Sequence, residues 1–397
     1  MRPYTTHGGG AMTQGRGTRR KLRVGVLFGG QSSEHAVSIA SARSVIAALD
    51  RDTYEVVPVG ITRNGQWLTG GDPMQTLLEA GGQLTATPPP IDEPDNEPGD
   101  TAATGGALAA NAAGGSALVP GPEGAANELH RLDVIFPVLH GPRGEDGTVQ
   151  GFLELMDIAY VGSGVLASAV GMDKWAMKAM LRDAGLPTPR AVLVRDYEWR
   201  RDPQAARGRI AAQLGFPCFV KPANMGSSVG VSKAHDAAEL DAAMHEAFRY
   251  DRRVLVEEAV IAREVECSVL GNDEPETSAV GEIVIGGGHE FYDYEAKYTD
   301  ANTTLNIPAK VPEHIADEVR RLAVAVFRAV DAAGLARVDC FYDEANDRVL
   351  VNEINTIPGF TSTSMYASMW AAVGVGYGEL VDRLVTLALE RHAGRHR

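Results

Sequence analysis

Leu335-Ala336-Arg337-Val338-Asp339-Cys340-Phe341-Tyr342 and Arg348-Val349-Leu350-Val351-Asn352-Glu353-Ile354-Asn355 are two apolar-rich runs joined by Asp343-Glu344-Ala345-Asn346-Asp347. The joining residues are turn formers, so the stretch reads as a β-hairpin. Alternate side chains of a strand share a face, which groups Arg337 with Asp339 and Glu353 with Asn355. A hairpin symmetric about Ala345 sets Arg337 opposite Glu353, with Asp339 diagonal to Glu353 on the same face. Three oxygen donors, from Asp339, Glu353 and Asn355, then share one sheet surface with a guanidinium. Such hard donors suit Mg²⁺, which keeps waters and also takes phosphate oxygens. A solvated face carrying a salt bridge is the competing reading. The segment Thr356-Ile357-Pro358-Gly359-Phe360-Thr361 follows at once. It favours the ligand site, because a glycine-bearing loop beside the acids lets a substrate approach closely.

Upstream of the hairpin, residues 313–333 read as a helix. Ile315, Val319, Leu322, Val326 and Val330 line one face and Gly334 ends it. Further back, Phe216-Pro217-Cys218-Phe219-Val220 is a strand that delivers Lys221 to a Gly/Ser loop, Asn224 to Gly230. The loop is not a Walker A sequence, but its backbone N–H groups can cradle phosphate. An ordinary turn is the alternative. Val254 to Glu258 is a strand ending in acid. Asp173 to Ala184 is a helix that stops at Gly185 with Pro187 beyond it, and its Lys174 is either a second cation or a surface lysine.

The N-terminal third has a different pattern. Lys21 to Phe28 is an apolar strand closed by Gly29-Gly30, and Ser32 or Ser33 can cap a helix starting near Glu34. That helix carries Val37, Ala40, Ser41, Ser44, Val45 and Ala48 at helical spacing. Tyr54 to Val59 is the next strand, so the β–α–β order predicts a parallel sheet in an α/β domain. Residues 70–128 are dominated by Ala, Gly, Pro, Thr and acids, with Pro88-Pro89-Pro90. They cannot bury enough surface to offset ordering and read as a partly disordered insertion. Strand character resumes at Leu132 to Phe136. Residues 1–20 read as a disordered extension, with Met12 a second candidate start. The division is therefore 1–20, an N-terminal α/β domain 21–162 holding the insertion, a central domain 163–261 and a C-terminal domain 262–397.

Bulk properties narrow the classes. A chain of 397 residues with 44% hydrophobic content supports two or three domains. A net charge of −15 argues against non-specific nucleic-acid binding, though a local lysine cluster can still hold a small anion. Cys218, Cys267 and Cys340 have no metal-knuckle or paired spacing and read as buried apolar residues in a reducing compartment. No apolar run approaches the roughly 20 residues that span a bilayer. Arg19-Arg20 before Val24 to Phe28 superficially suggests an export signal, but the apolar stretch is short and no small-residue cleavage site follows. The expected location is the cytoplasm, with no membrane partner.

Several motifs stand in one order. They are Phe28-Gly29-Gly30-Gln31-Ser32-Ser33-Glu34, Leu139-His140-Gly141-Pro142-Arg143-Gly144-Glu145-Asp146-Gly147, Met172-Asp173-Lys174, and Val220-Lys221-Pro222 with Gly226-Ser227-Ser228-Val229-Gly230. Phe291-Tyr292-Asp293-Tyr294-Glu295-Ala296-Lys297-Tyr298, Arg337-Val338-Asp339 and Asn352-Glu353-Ile354-Asn355-Thr356-Ile357-Pro358-Gly359 complete the series. Together they resemble the D-alanine–D-alanine ligase family of the ATP-grasp superfamily, over about residues 22–390 apart from the insertion.

The resemblance implies a three-domain ATP-grasp fold of the mixed α/β class, with ATP between the central and C-terminal sheets. It implies that Lys174 and Lys221 contact phosphates, with Ser227 and Ser228 in the loop beside them. Glu257, Val260 and Glu264 would lie by adenine and ribose. Asp339, Glu353 and Asn355 would hold two Mg²⁺ (or Mn²⁺) ions, and a loop carrying Lys297 and Tyr298 would close the site. Glu34 would anchor the first D-alanine's ammonium and be tied to Ser227 and Tyr298. A lone glutamate at a helix start is otherwise just a favourable terminal charge. Arg337 and the Gly359 N–H would stabilise a tetrahedral oxyanion, and Ser364, otherwise a plain helix cap, would join Lys297 in receiving the second substrate's carboxylate. His140 reads as an active-site neighbour. The implied reaction makes D-alanyl-D-alanine for peptidoglycan through an acyl phosphate, in a homodimer. The alternatives are a D-alanine–D-lactate ligase, disfavoured by Glu295-Ala296-Lys297-Tyr298, and a non-catalytic ATP-binding homologue. Met225 stands where the family often carries an acid.

Overall fold

The computed structural model describes residues 20–81, 129–284 and 304–395. The first sheet is built from β1 (Leu22–Gly29), β2 (Tyr54–Ile61), β3 (Trp67–Leu68), β4 (Val134–Pro137) and β5 (Ala159–Tyr160), in the order β3-β2-β1-β4-β5. β1 pairs in parallel with β2 and β4, β4 pairs in parallel with β5, and β3 is antiparallel to β2. Val24, Val26, Leu27 and Phe28 of β1 are all fully buried. A continuous apolar run is what a central parallel strand covered on both faces requires.

Helix α1 (His35–Ala48) follows β1, and α2 (Pro73–Gly81) follows β3. The structure corrects two expectations of α1. Neither serine is the N-cap of α1: Glu34 occupies that position, and the Ser32 hydroxyl accepts from the Glu34 N–H at 3.3 Å. The buried face is His35, Ser38, Ile39, Ser41, Ala42 and Val45, rotated from the expected one. Within the segment read as a partly disordered insertion, residues 73–81 form α2, which packs Leu77 into the core against β2. Residues 82–128 lie outside the described residues, as do 1–19.

Helices α3 (Thr148–Leu155), α4 (Val165–Met172) and α5 (Lys174–Asp183) lead to the second sheet. That sheet contains β6 (Ala191–Arg195), β7 (Cys218–Pro222), β8 (Ser232–Ala234) and β9 (Arg253–Glu258), ordered β6-β9-β7-β8 and wholly antiparallel. Helices α6 (Asp196–Arg201), α7 (Pro203–Gln213) and α8 (Ala237–Ala247) accompany it. Asp173, Asp202 and Asp236 cap α5, α7 and α8 by accepting backbone N–H groups.

The third sheet comprises β10 (Arg263–Gly271), β11 (Glu276–Val284), β12 (Thr304–Asn306), β13 (Gly334–Asp343) and β14 (Arg348–Asn355). Its order is β12-β11-β10-β13-β14, all antiparallel. Helix α9 (Glu313–Ala329) lays Ile315, Val319, Leu322 and Val326 on it, each 2% exposed or less. Each contributes about 2 kcal/mol of burial. The helix ends at Ala329, short of Gly334, which opens β13 instead.

The cores do not follow chain order. Helices α10 (Met365–Ala371) and α11 (Tyr377–Arg395) return to the first sheet, so Tyr366, Trp370, Leu380 and Leu384 share a core with Val24 and Phe136. Ala167 of α4 and Met177 and Leu181 of α5 pack with the third sheet. The second sheet has a core of its own, including Val194, Ile210, Val220 and Val256. No described helix is long and apolar enough to cross a membrane.

Candidate active site

The hairpin sets the site's floor, and its register differs from the symmetric one. Arg337 lies opposite Asn355 and Asp339 opposite Glu353. The pairing then slips between Asp339 and Cys340, which faces Val351. The extra residue is Asn352, a bulge that a turn-centred count cannot anticipate. The face is nevertheless shared. Arg337 makes a two-pronged pair with Asp339, Nε to Oδ1 at 2.7 Å and Nη2 to Oδ2 at 2.8 Å. Asn355 Nδ2 donates to Asp339 Oδ2 at 2.9 Å.

Arg337 Nε also lies 3.0 Å from Glu266 Oε2. Burial works against the guanidinium, yet Asp339 and Glu266 outweigh it and hold its pKa well above the ordinary value. Glu266 was not expected in the site. Its signal was the alternation of Glu264, Glu266 and Ser268 with Val265, Cys267 and Val269, which turns the acids of β10 to the polar face.

The Gly/Ser loop faces this floor. Lys174 Nζ donates to the Met225 carbonyl at 2.6 Å and lies 3.7 Å from Glu353 Oε2. Ser227 and Ser228 take left-handed φ values of 49° and 58°. Two consecutive non-glycine residues there are costly unless neighbours impose the shape. One neighbour is Glu34, whose Oε1 accepts from the Ser227 hydroxyl at 2.6 Å. Glycine is demanded at Gly141: its φ is +76°, and a Cβ there would stand 3.0 Å from Glu34 Oε2.

Lys221 bonds Glu257 Oε2 at 2.6 Å, and Lys178 lies 2.7 Å from Oε1. Lys178 escaped the sequence reading, though it stands one turn after Lys174 on the same helix face. Burial opposes the Glu257 charge, but the two lysines overcome it and bring its pKa down to about 2. Burial lowers the pKa of Lys178, while Glu257 outweighs burial at Lys221 and raises it.

His140 is buried. Its Nδ1 lies 3.0 Å from the Ile357 carbonyl, which can only accept, so Nδ1 carries the hydrogen. Nε2 then accepts from the Ser41 hydroxyl at 3.3 Å, and Ser41 also accepts from the Phe360 N–H at 3.3 Å. Burial lowers the His140 pKa and keeps the ring neutral. The histidine thus ties the first sheet to the 356–360 loop. Nearby, Glu145 Oε1 accepts from the Gly141 N–H at 3.0 Å. Burial, then the Glu34 charge, raises its pKa to about 8.

Two clefts meet here. One, of about 370 Å³, is lined by Phe219, Glu257, Val260 and Glu264 together with Lys174, Lys221, Ser227 and Ser228. The second, of about 430 Å³, reaches Glu34, His140, Glu145, Asn355, Gly359 and Ser364. Lys174, Ser227, Arg337 and Glu353 border both. Ser364 caps α10, accepting from the Ala367 N–H at 3.5 Å, while lining the second cleft. Lys297 and Tyr298 lie outside the described residues. Among the described residues no group of three or more His, Cys, Asp and Glu forms a metal cluster. Asp339 and Glu353 nonetheless form a facing acid pair with the Asn355 amide beside it, a hard-oxygen donor set that fits Mg²⁺ better than a softer ion.

The description "D-ala D-ala ligase N-terminus" matches residues 23–163, and "D-ala D-ala ligase C-terminus" matches residues 180–386. The D-alanine–D-alanine ligase of Pseudarthrobacter chlorophenolicus is 50% identical over 382 residues, covering 95% of this chain and 96% of that protein. That of Geobacillus thermodenitrificans is 48% identical over 372 residues, covering 94% and 96%. Among solved structures, the VanG D-Ala:D-Ser ligase from Enterococcus faecalis superposes with a TM-score of 0.74 at 31% identity, covering 93% of this chain and all of that one. The D-alanine–D-alanine ligase from Coxiella burnetii gives 0.71 at 32% identity, covering 95% and 97%. Fold and site define an ATP-dependent ligase of the ATP-grasp type. The chain belongs to the D-alanine–D-alanine ligase family.

Proposed function

We propose that this chain condenses two D-alanines into D-alanyl-D-alanine with ATP, supplying peptidoglycan synthesis from the cytoplasm. The observation that carries the reading is the meeting of two clefts at Lys174, Ser227, Arg337 and Glu353, one suited to a nucleotide and one to small zwitterions. The family and the near-full-length relatives supply the substrate.

In this reading the first D-alanine's carboxylate attacks the γ-phosphate and expels ADP, giving an acyl phosphate, and the second D-alanine's deprotonated amine then displaces phosphate from it and sheds its remaining proton. Bringing an anion to a polyanion demands positive charge, which Lys174, Lys221 and Lys297 provide. Glu257, Val260 and Glu264 line the base and ribose end, with Ser228 at the phosphates. Mg²⁺ or Mn²⁺ ions held by Asp339, Glu353 and Asn355 would neutralise phosphate charge. Glu34 binds the first ammonium and Ser227 holds Glu34 in place. Arg337 and the Gly359 N–H face the developing oxyanion, and Ser364 with Lys297 takes the second carboxylate. Tyr298 closes the site against water, which would otherwise consume the acyl phosphate. We read the chain as three domains, 21–162, 163–261 and 262–397, and as a homodimer.

A phosphate-release assay with ATP, Mg²⁺ and candidate acceptors tests the reading, with products identified by mass. D-alanine alone should give the D-alanyl dipeptide. An ester product with added D-lactate in place of the dipeptide would shift the acceptor. ATP binding without turnover on any acceptor would leave a non-catalytic homologue.

A further inference from the structure

Lys178 has no part in the chemistry above, yet among the described residues it is the most deeply buried cation of the site. It is 1% exposed, with Nζ 2.7 Å from Glu257 Oε1 and 3.4 Å from the Asn352 carbonyl. Glu257 is itself 2% exposed, and its other oxygen receives Lys221. The two lysines are not equivalent. Lys221 leaves a strand end into the cleft that also holds the Gly/Ser loop, so a polyphosphate competes with Glu257 for it. Lys178 is locked inside, below β9 and beside the bulge of β14, where no phosphate can draw it away.

A buried carboxylate that loses its last cation takes up a proton. It would then present a donor where it had presented only acceptors. Each carboxylate oxygen has two acceptor sites, so an oxygen already paired with a lysine can still receive an N–H from a ligand. We propose that Lys178 is the permanent counter-ion of Glu257 and a positioning residue for base selection. It keeps the carboxylate a pure acceptor, which favours a purine with an exocyclic amino group over one with an oxo group. The same helix that carries Lys174 to the phosphate end thereby sets the chemistry of the base end. This rests on the assignment of the 370 Å³ cleft to ATP.

The test compares ATP with inosine triphosphate, which carries an oxo group in place of the amino group, in the phosphate-release assay on the full chain. Lys178→Met should raise KM for ATP about tenfold or more and shrink the kcat/KM preference for ATP by a similar factor. kcat should stay within about threefold and KM for D-alanine should hold. Lys178→Arg, which retains the charge, should keep most of the preference. An unchanged preference in folded Lys178→Met overturns the proposal, whatever its effect on melting temperature. Should that variant not fold, Lys178→Arg decides: a preference kept supports the proposal and a preference lost overturns it. Glu257→Gln separates the two layers. If it too leaves the preference untouched, the nucleotide assignment of the cleft is what fails.

Discussion

The Ser227 hydroxyl donates to Glu34 Oε1 at 2.6 Å, joining a loop of the second sheet to the N-terminus of α1 across 193 residues. The bond ties a loop with two left-handed residues to a carboxylate that lies beside Gly141. Ser227→Ala should therefore lower kcat/KM for D-alanine by about tenfold to a hundredfold, while the melting temperature hardly moves. Steady-state kinetics with calorimetry checks both, and wild-type kinetics would remove the clamp.

Glu353 stands opposite Asp339 and within 3.7 Å of Lys174. Glu353→Ala should reduce turnover at least about a hundredfold. Glu353→Asp should keep some activity but need more Mg²⁺ for half-activation. A metal titration with an unshifted midpoint in the aspartate variant would sink the metal assignment.

Glu257 is held at a pKa of about 2, below its ordinary 4.5. The stabilisation is therefore present above about pH 4.5 and is lost as pH falls toward 2. Wild type should lose about 3 kcal/mol more than Glu257→Gln across that window. Denaturant unfolding at stepped pH measures it.

Glu145 runs the other way, with a pKa raised to about 8. Its folded form keeps a proton that the unfolded chain gives up above about pH 4.5, so its cost is absent below 4.5 and grows up to pH 8. Glu145→Gln should stabilise the protein by about 1–3 kcal/mol near pH 7.5 and by nothing below pH 4.5. A gain independent of pH would contradict the raised pKa that burial and the Glu34 charge impose on Glu145.

His140 ties the Ile357 carbonyl to Ser41 as a neutral ring. His140→Ala should cost about 1–3 kcal/mol of stability and lower kcat by displacing the 356–360 loop. The pH–rate profile should keep its shape, since no histidine titration is removed. Loss of a limb near pH 6.5 would instead make the ring a general base.

Local pattern made much of this protein legible. The β–α–β start, the α9 stripe from Ile315 to Val326, the helix capped by Asp173 and the Arg337–Asn355 hairpin all depend on neighbours in the chain, whose periodicity is written directly in the residues. Asp339, Glu353 and Asn355 could be put on one face because strand alternation is fixed by backbone geometry. The Asn352 bulge could not be foreseen, because it is set by what packs against the hairpin. Nor could the return of α11 to the first sheet, since an apolar face does not name its partner. The sequence gives Lys178 no role, and it shows Glu145 only as a motif residue and His140 only as an active-site neighbour. Burial and the charges of Glu257, Glu34 and the Ile357 carbonyl give them their roles, and only the folded chain brings those groups within hydrogen-bonding or Coulombic reach.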